Sequence, residues 1–338
     1  MFHKNIFKIA LIYTGTILGA GFATGKELVT FFASFNKTGI IGFFISCFLL
    51  SLICMATLHI IYKVKANTYS EFMNIIFGKF SKYIEYFNIF LLFVLFSAML
   101  AGGGATISNT FNININLSIF IFCLVTFISL IFGKNAIISI NTILVPMLII
   151  GGGLIGIYLY FYSVEPVFNN NTKALISPFL YTSYNAITTI SVLFAIRHIV
   201  TNKKTIFYSS ILAGIFIFII GICMLLPLIE NYINIYSEPL PILSLIGNKY
   251  FIKEIYTFTV LAAIFTTAVS NGVALENWFK EHFKINTLLL NLIILLCGVL
   301  FSLMGFSNIV NIVYPLFGFL GIFEIVVILI VFLTKAFD

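Results

Sequence analysis

Charge is what this 338-residue chain has least of: Asp, Glu, Lys and Arg together supply 9% of it. A soluble domain carries about a quarter of its residues charged, so a water-exposed globule is excluded. Aspartate occurs once, as Asp338, which rules out metal chemistry built on paired aspartates. The histidines are isolated, and no Ser/His, His/Glu or metal-ligand spacing points to a catalytic group. Cys47, Cys54, Cys123, Cys223 and Cys297 are scattered and odd in number. They read as small apolar packing residues, not as a disulfide framework or a metal site. The chain is therefore read as a non-enzyme with no organic cofactor.

What the chain has in abundance is apolar surface. It is 61% hydrophobic with a mean hydropathy of +1.13, the composition of an all-α, multi-pass integral membrane protein whose partner is the lipid bilayer. At about 20 residues per crossing, ten spans fit, at about 5–35, 39–63, 83–108, 117–133, 136–162, 177–200, 205–230, 251–279, 286–304 and 308–334. They take up nearly all of the sequence, so 1–338 is read as a single membrane domain. The first apolar run lacks a small-residue cleavage site and reads as a retained helix. With a cytoplasmic N-terminus, thirteen of the Lys and Arg residues fall inside and five outside, in accord with the positive-inside rule. Both termini are then cytoplasmic, in a plasma membrane. The net charge of +7 belongs to these loops and anionic headgroups, and no nucleic acid partner is needed.

Ten spans divide into five and five about the polar run Asn169-Asn170-Asn171. Because five is odd, the halves, about 5–163 and 172–334, face opposite ways, as inverted repeats do. A constant offset also sets Tyr13-Thr14 on Tyr181-Thr182 and Gly104 on Gly272. The Glu238-Pro239-Leu240-Pro241 loop is read either as short helices over the outer entrance or as a plain connection.

The first span is interrupted by Thr14-Gly15-Thr16-Ile17-Leu18-Gly19-Ala20-Gly21-Phe22-Ala23-Thr24-Gly25. Each glycine lowers helix stability by about 1 kcal/mol relative to alanine. Lipid cannot satisfy loosened backbone, so a break at this depth must be buried or line a polar cavity. Broken helices at mid-membrane point to the binding site of a secondary transporter. The same glycines form G-x-x-x-G pairs, which equally suit close helix packing.

The sixth span opens Ser177-Pro178 and continues Phe179-Leu180-Tyr181-Thr182-Ser183-Tyr184-Asn185-Ala186-Ile187-Thr188-Thr189-Ile190-Ser191. So many hydroxyls are costly against lipid. One reading breaks this helix and sets it across a cavity from Thr14–Gly25, with free amides facing an anionic group and Tyr181, Tyr184 and Asn185 orienting the solute. The other keeps a solid helix whose hydroxyls bond to their own backbone. In the eighth span, Thr266 and Ser270 share a helix face, beside Thr267 and Asn271. With carbonyls freed by the first break they make an oxygen cage for Na⁺, or else they are buried packing hydroxyls. Glu324 lies deep in the last span, where an ionisable group marks a coupling or gating site unless it is statically paired. Lys26-Glu27 follow the first break, towards the outer vestibule.

The run Gly15 to Glu27, followed by Phe31-Phe32, resembles the opening of the bacterial YkvI-type membrane proteins. That family is similar to the amino acid–polyamine–organocation superfamily, whose LeuT-type fold has two inverted five-helix repeats with helices 1 and 6 discontinuous. The resemblance implies substrate contacts at Gly15, Thr16, Gly19, Ala20 and Gly21, opposite Tyr181, Thr182, Tyr184 and Asn185. It also implies a Na⁺ site of the Gly15 and Leu18 carbonyls with Thr266, Thr267 and Ser270. Glu324, Lys26 and Glu27 remain for coupling and gating. The function expected is secondary transport of a small organic solute, an amino acid or related zwitterion, coupled to Na⁺ or H⁺ by alternating access. A channel or membrane sensor is the alternative.

Overall fold

In the computed structural model, which describes residues 2–162, 176–247 and 250–334, the described chain is helical with no strand. The Asn169–Asn171 midpoint, the expected repeat boundaries at 163 and 172, and Lys173, Lys249, Lys335 and Asp338 lie outside the described residues.

The first expected span is three pieces: α1 (Phe2–Ile17), α2 (Ala20–Ala23) and α3 (Lys26–Phe31). The next four spans are α4 (Asn36–Val64), then α6 (Ser81–Phe111), α7 (Ile115–Leu130) and α8 (Lys134–Phe161), with the short α5 (Tyr69–Phe77) before α6. The second half runs α9 (Ser177–Ala195), α10 (Lys203–Glu230), the short α11 (Tyr232–Ile235) and α12 (Pro241–Ile246), then α13 (Tyr250–His282) and α14 (Thr287–Ser302). A last segment combines α15 (Phe306–Asn308), a π-helical turn over Ile309–Val313, and α16 (Tyr314–Leu333). Local chemistry sets several starts. The side chains of Thr68, Asn114, Asn202 and Asn286 each accept from a backbone N–H in the first turn they precede, as N-caps do.

Among the described residues, six stretches are long and apolar enough to cross a membrane, and α7 and α14 are shorter apolar helices. The protein is a multi-pass membrane protein. The two remaining spans are the broken α1–α3 and the hydroxyl-rich α9, and these are the pieces least suited to lipid. The fold places them at the centre. α1 packs on α8, α9, α10 and α13, while α9 packs on α4 and α16. Every residue of α9 except Phe179 is buried.

The expected break in the sixth span is not found: α9 runs uninterrupted over 19 residues. Its polar side chains bond along the helix instead of opening it. Asn185 donates to Tyr181 O at 3.0 Å, and Thr188 and Thr189 donate to Asn185 O at 2.8 and 2.9 Å. Ser183 donates across to Gly318 O on α16. Such hydroxyls are satisfied within the helix and cost little when buried.

The α9–α16 contact depends on Gly318, where an added Cβ would lie 2.7 Å from Leu180 O and 3.1 Å from Leu180 Cα. Backbone cannot yield as a side-chain tip can. Gly318→Leu is therefore expected to cost about 1–3 kcal/mol by overpacking, read as a lower melting temperature of the purified protein. An unchanged melting temperature contradicts this contact.

Candidate functional site

The gap between α1 and α2 is held open by partners from other helices. Thr267 Oγ1 donates to Gly15 O at 2.9 Å. The Ala20 amide points at Met99 Sδ at 3.4 Å, and Tyr256 Oη donates to Ala23 O at 2.6 Å. Gly25 turns the chain with φ of 84°, a conformation natural to glycine. The next element docks there: the Ile242 amide of α12 donates to Thr24 O at 3.0 Å. The loop after the seventh span is thus the helical version of the two readings, seated on the α2–α3 turn.

Beside the gap lies a small cavity of about 20 Å³, room for about one water. It is lined by Thr16, Ile17 and Gly19 from the break, Glu27 from α3, and Leu95 and Met99 from α6. Tyr184, Asn185 and Thr188 of α9, Thr267 and Asn271 of α13, and Tyr314 of α16 complete it. Four of the residues expected to contact substrate, Thr16, Gly19, Tyr184 and Asn185, are therefore brought together. Gly15, Ala20, Gly21, Tyr181 and Thr182 stand behind this lining. Tyr181 packs among Phe31, Phe32 and Tyr184, with ring centroids 5.0–5.6 Å away. Gly21 makes room for Glu27, whose carboxyl would collide with any Cβ there.

Glu27 and Lys26 depart from expectation. Both are buried, 3% and 2% exposed, instead of facing an outer vestibule. Lys26 Nζ donates to Tyr236 O at 3.0 Å, tying α3 to the loop above it. Glu27 turns the other way, into the cavity, and accepts from Tyr184 Oη. Successive helical residues do not share a face, so adjacent opposite charges took separate roles.

The residues named for Na⁺ converge in part. Thr267 reaches Gly15 O, whereas the Thr266 hydroxyl donates to Ala263 O of its own helix at 2.9 Å. Ser270 Oγ accepts from Asn141 Nδ2 of α8 at 3.3 Å. Asn141 packs against Gly15, leaving no space for a Cβ, and its Oδ1 is buried without a hydrogen-bond partner, as is Asn271 Oδ1. The orphaned Asn141 oxygen beside Gly15 suits a hard monovalent cation, which takes oxygen ligands. No group of three His, Cys, Asp or Glu that would hold a transition metal occurs among the described residues.

Glu324 is also buried but does not line this cavity. Its partner is an amide: Asn88 Nδ2 of α6 donates to Glu324 Oε1 at 2.9 Å, and Asn88 Nδ2 also donates to Tyr69 Oη at 3.3 Å. Ser191 of α9 donates to the same Tyr69 hydroxyl at 3.0 Å. Glu324 therefore links the last helix to α5, α6 and α9.

Sequence reasoning missed Leu95, Met99, Tyr314 and Asn141. The first two carry no signal in an apolar helix. Asn141, an amide inside an apolar run, was the one legible clue.

Comparison with known proteins adds the fold family. No protein-family model matches the chain. It is 25% identical over 318 residues to the uncharacterized membrane protein YkvI of Bacillus subtilis, covering 91% of each chain. It is 26% identical over 318 residues to the uncharacterized protein YyaD of the same organism, again covering 91% of each. Among solved structures it is similar to Mhp1, a nucleobase-cation-symport-1 family transporter, in a closed conformation with bromovinylhydantoin bound. The TM-score is 0.71 at 13% identity, over 92% of this chain and 74% of that one. A Na⁺-coupled sialic acid symporter matches with a TM-score of 0.62 at 16% identity, over 93% and 75%. A manganese transporter of Eremococcus coleocola matches with 0.62 at 15%, over 97% and 78%. The chain is thus a homologue of the YkvI and YyaD proteins, with the fold of LeuT-type transporters.

The Asn88–Glu324 pair gives a direct test. Asn88→Leu leaves the carboxyl without its donor and is expected to cost about 1–3 kcal/mol. Adding Glu324→Leu removes the stranded group and should restore part of the lost melting temperature. A double variant no more stable than Asn88→Leu contradicts the pairing.

Proposed function

We propose that this protein is a secondary active transporter of a small organic solute, an amino acid or related zwitterion, working by alternating access and coupled to Na⁺ or H⁺. The observation that carries the proposal is the cavity at the α1–α2 gap, lined in part by hydroxyl, amide and carboxyl side chains and enclosed by α9 and α13, in a fold shared with cation-coupled transporters. At about 20 Å³ the cavity is too small for such a solute, so alternating access requires the surrounding helices to move. Substrate contacts are assigned to Gly15, Thr16, Gly19, Ala20, Gly21, Tyr181, Thr182, Tyr184 and Asn185, with the residues behind the lining becoming accessible when α9 and α1–α3 part. Glu324, Lys26 and Glu27 are assigned to coupling and gating.

The cation is assigned to the Gly15 and Leu18 carbonyls with Thr266, Thr267 and Ser270, joined by Asn141. The orphaned Asn141 Oδ1 supports this set, and Thr266 contributes once it leaves Ala263 O. Two inverted five-helix repeats are supported by element order, since short helices follow the second span of each half, α5 in one and α11–α12 in the other. The matching packing of α4 on α9 and of α10 on α1 points the same way. The lysine and arginine distribution supports cytoplasmic termini in the plasma membrane of a bacterium.

Uptake by proteoliposomes, across a panel of radiolabelled amino acids and other small solutes with an imposed Na⁺ or H⁺ gradient, tests the proposal. Gradient-driven accumulation of at least one solute is expected, and solute equilibration without accumulation contradicts secondary transport. Gly19→Leu should abolish that uptake in folded protein, because a Cβ at Gly19 already lies 3.2 Å from Thr267 Oγ1 and the rest of the side chain fills the cavity. Thr267→Val with Ser270→Ala should weaken Na⁺ dependence selectively, and an unaltered Na⁺ response in that pair moves the cation elsewhere.

A further inference from the structure

The threonine hydroxyls of the cavity lining all spend their hydrogens elsewhere. Thr16 Oγ1 donates to Ile12 O at 2.8 Å, Thr188 to Asn185 O at 2.8 Å and Thr267 to Gly15 O at 2.9 Å. Carbonyls cannot donate, so the direction of these bonds is fixed. Tyr184 Oη donates to a carboxyl oxygen of Glu27, and Asn185 gives one amide hydrogen to Tyr181 O. Tyr314, whose ring lies 4.8 Å from that of Tyr184, supplies a further aromatic wall. Thr16, Thr188 and Thr267 thus have lone pairs and no hydrogen left to offer, among the apolar walls of Ile17, Leu95 and Met99.

Glu27 is the one carboxyl in the lining. No cationic side chain stands there, and the neighbouring Lys26 ammonium is drawn off to Tyr236 O. Such a buried carboxyl, held by one tyrosine hydroxyl, ionises at least cost when a cation comes against it. Its complement is a compact cation with several hydrogens to donate. A protonated primary amine has three, and its head fits a space of about 20 Å³. We infer that Glu27 is the anchor for the ammonium group of the transported solute, with the acceptor oxygens of Thr16, Thr188 and Thr267 around it. Glu27 is then a specificity-determining residue, selecting amines and amino acids over plain carboxylates and neutral solutes. This rests on the transporter reading and deepens it by assigning the residue that takes the solute's ammonium group.

The test uses the full-length protein in detergent. Thermal unfolding is followed with titrations of the standard α-amino acids, their deaminated carboxylates and their decarboxylated amines, for the wild type, Glu27→Gln and Glu27→Asp. Gln keeps the size of Glu and still accepts from Tyr184, so the fold is expected to hold. A ligand of the native state raises the melting temperature by mass action. One or more amine-bearing solutes should stabilise the wild type, while the deaminated counterparts do not. Affinity should fall about tenfold or more in Glu27→Gln, as for the loss of one partner of a buried charge pair, and return in part in Glu27→Asp. A purely structural Glu27 would lower all melting temperatures alike without sorting the solutes. The anchor is overturned, with transport intact, if a deaminated carboxylate binds as well as its amine or if Glu27→Gln binds the amine undiminished. It is overturned equally if Na⁺ or K⁺ alone gives the Glu27-dependent shift. If no solute stabilises the wild type and none is taken up by proteoliposomes, the transport reading falls and the anchor with it.

Discussion

A break in a membrane helix exposes backbone amides and carbonyls where no water can reach them, and each unsatisfied group there costs several kcal/mol. The protein around residues 15–25 is organised to meet that demand. Thr267 serves Gly15 O, Met99 receives the Ala20 amide, Tyr256 serves Ala23 O, and the Ile242 amide serves Thr24 O. These partners come from α6, α12 and α13, so the gap in α1 dictates where three other elements must lie. The loop over α3 is one of those elements, and Lys26 binds it a second time through Tyr236 O.

The same demand explains the partition of polarity. The broken helix and α9, which carry most of the hydroxyls and amides, are surrounded by helices that can face lipid. α9 meets its needs differently from α1. Asn185, Thr188 and Thr189 bond within their own helix, which keeps it continuous and leaves Thr188 without a hydrogen for the neighbouring cavity. Glu27 adds a carboxyl to that cavity, and Gly21 the space for it.

Much of this was legible in the sequence, for identifiable reasons. The first-helix break shows in the density of glycine, the helix positions in hydropathy, and several helix starts in Thr and Asn caps. The fate of α9 was not legible, because a hydroxyl run in an apolar segment is compatible with a broken helix and with a back-bonded one. Only the packing of Gly318 against Leu180, and the depth of burial, select the second. The direction of Glu27 was hidden for a similar reason. Adjacent Lys26 and Glu27 look like a solvated pair, and their separation depends on Tyr184 and Tyr236, residues far away in the chain. Met99 and Leu95 gave no signal at all, since an apolar side chain lining a cavity reads the same as one facing lipid.

The central claim is that the cavity at the α1–α2 gap opens to each side of the membrane in turn. The most direct measurement is the reactivity of one cysteine placed at Thr188, with Cys47, Cys54, Cys123, Cys223 and Cys297 replaced, towards a membrane-impermeant thiol reagent. The reagent is added to either face of reconstituted vesicles. The account predicts labelling from both faces, with an imposed Na⁺ or H⁺ gradient favouring one face at the expense of the other. Labelling from one face only, or from neither, under every condition contradicts it.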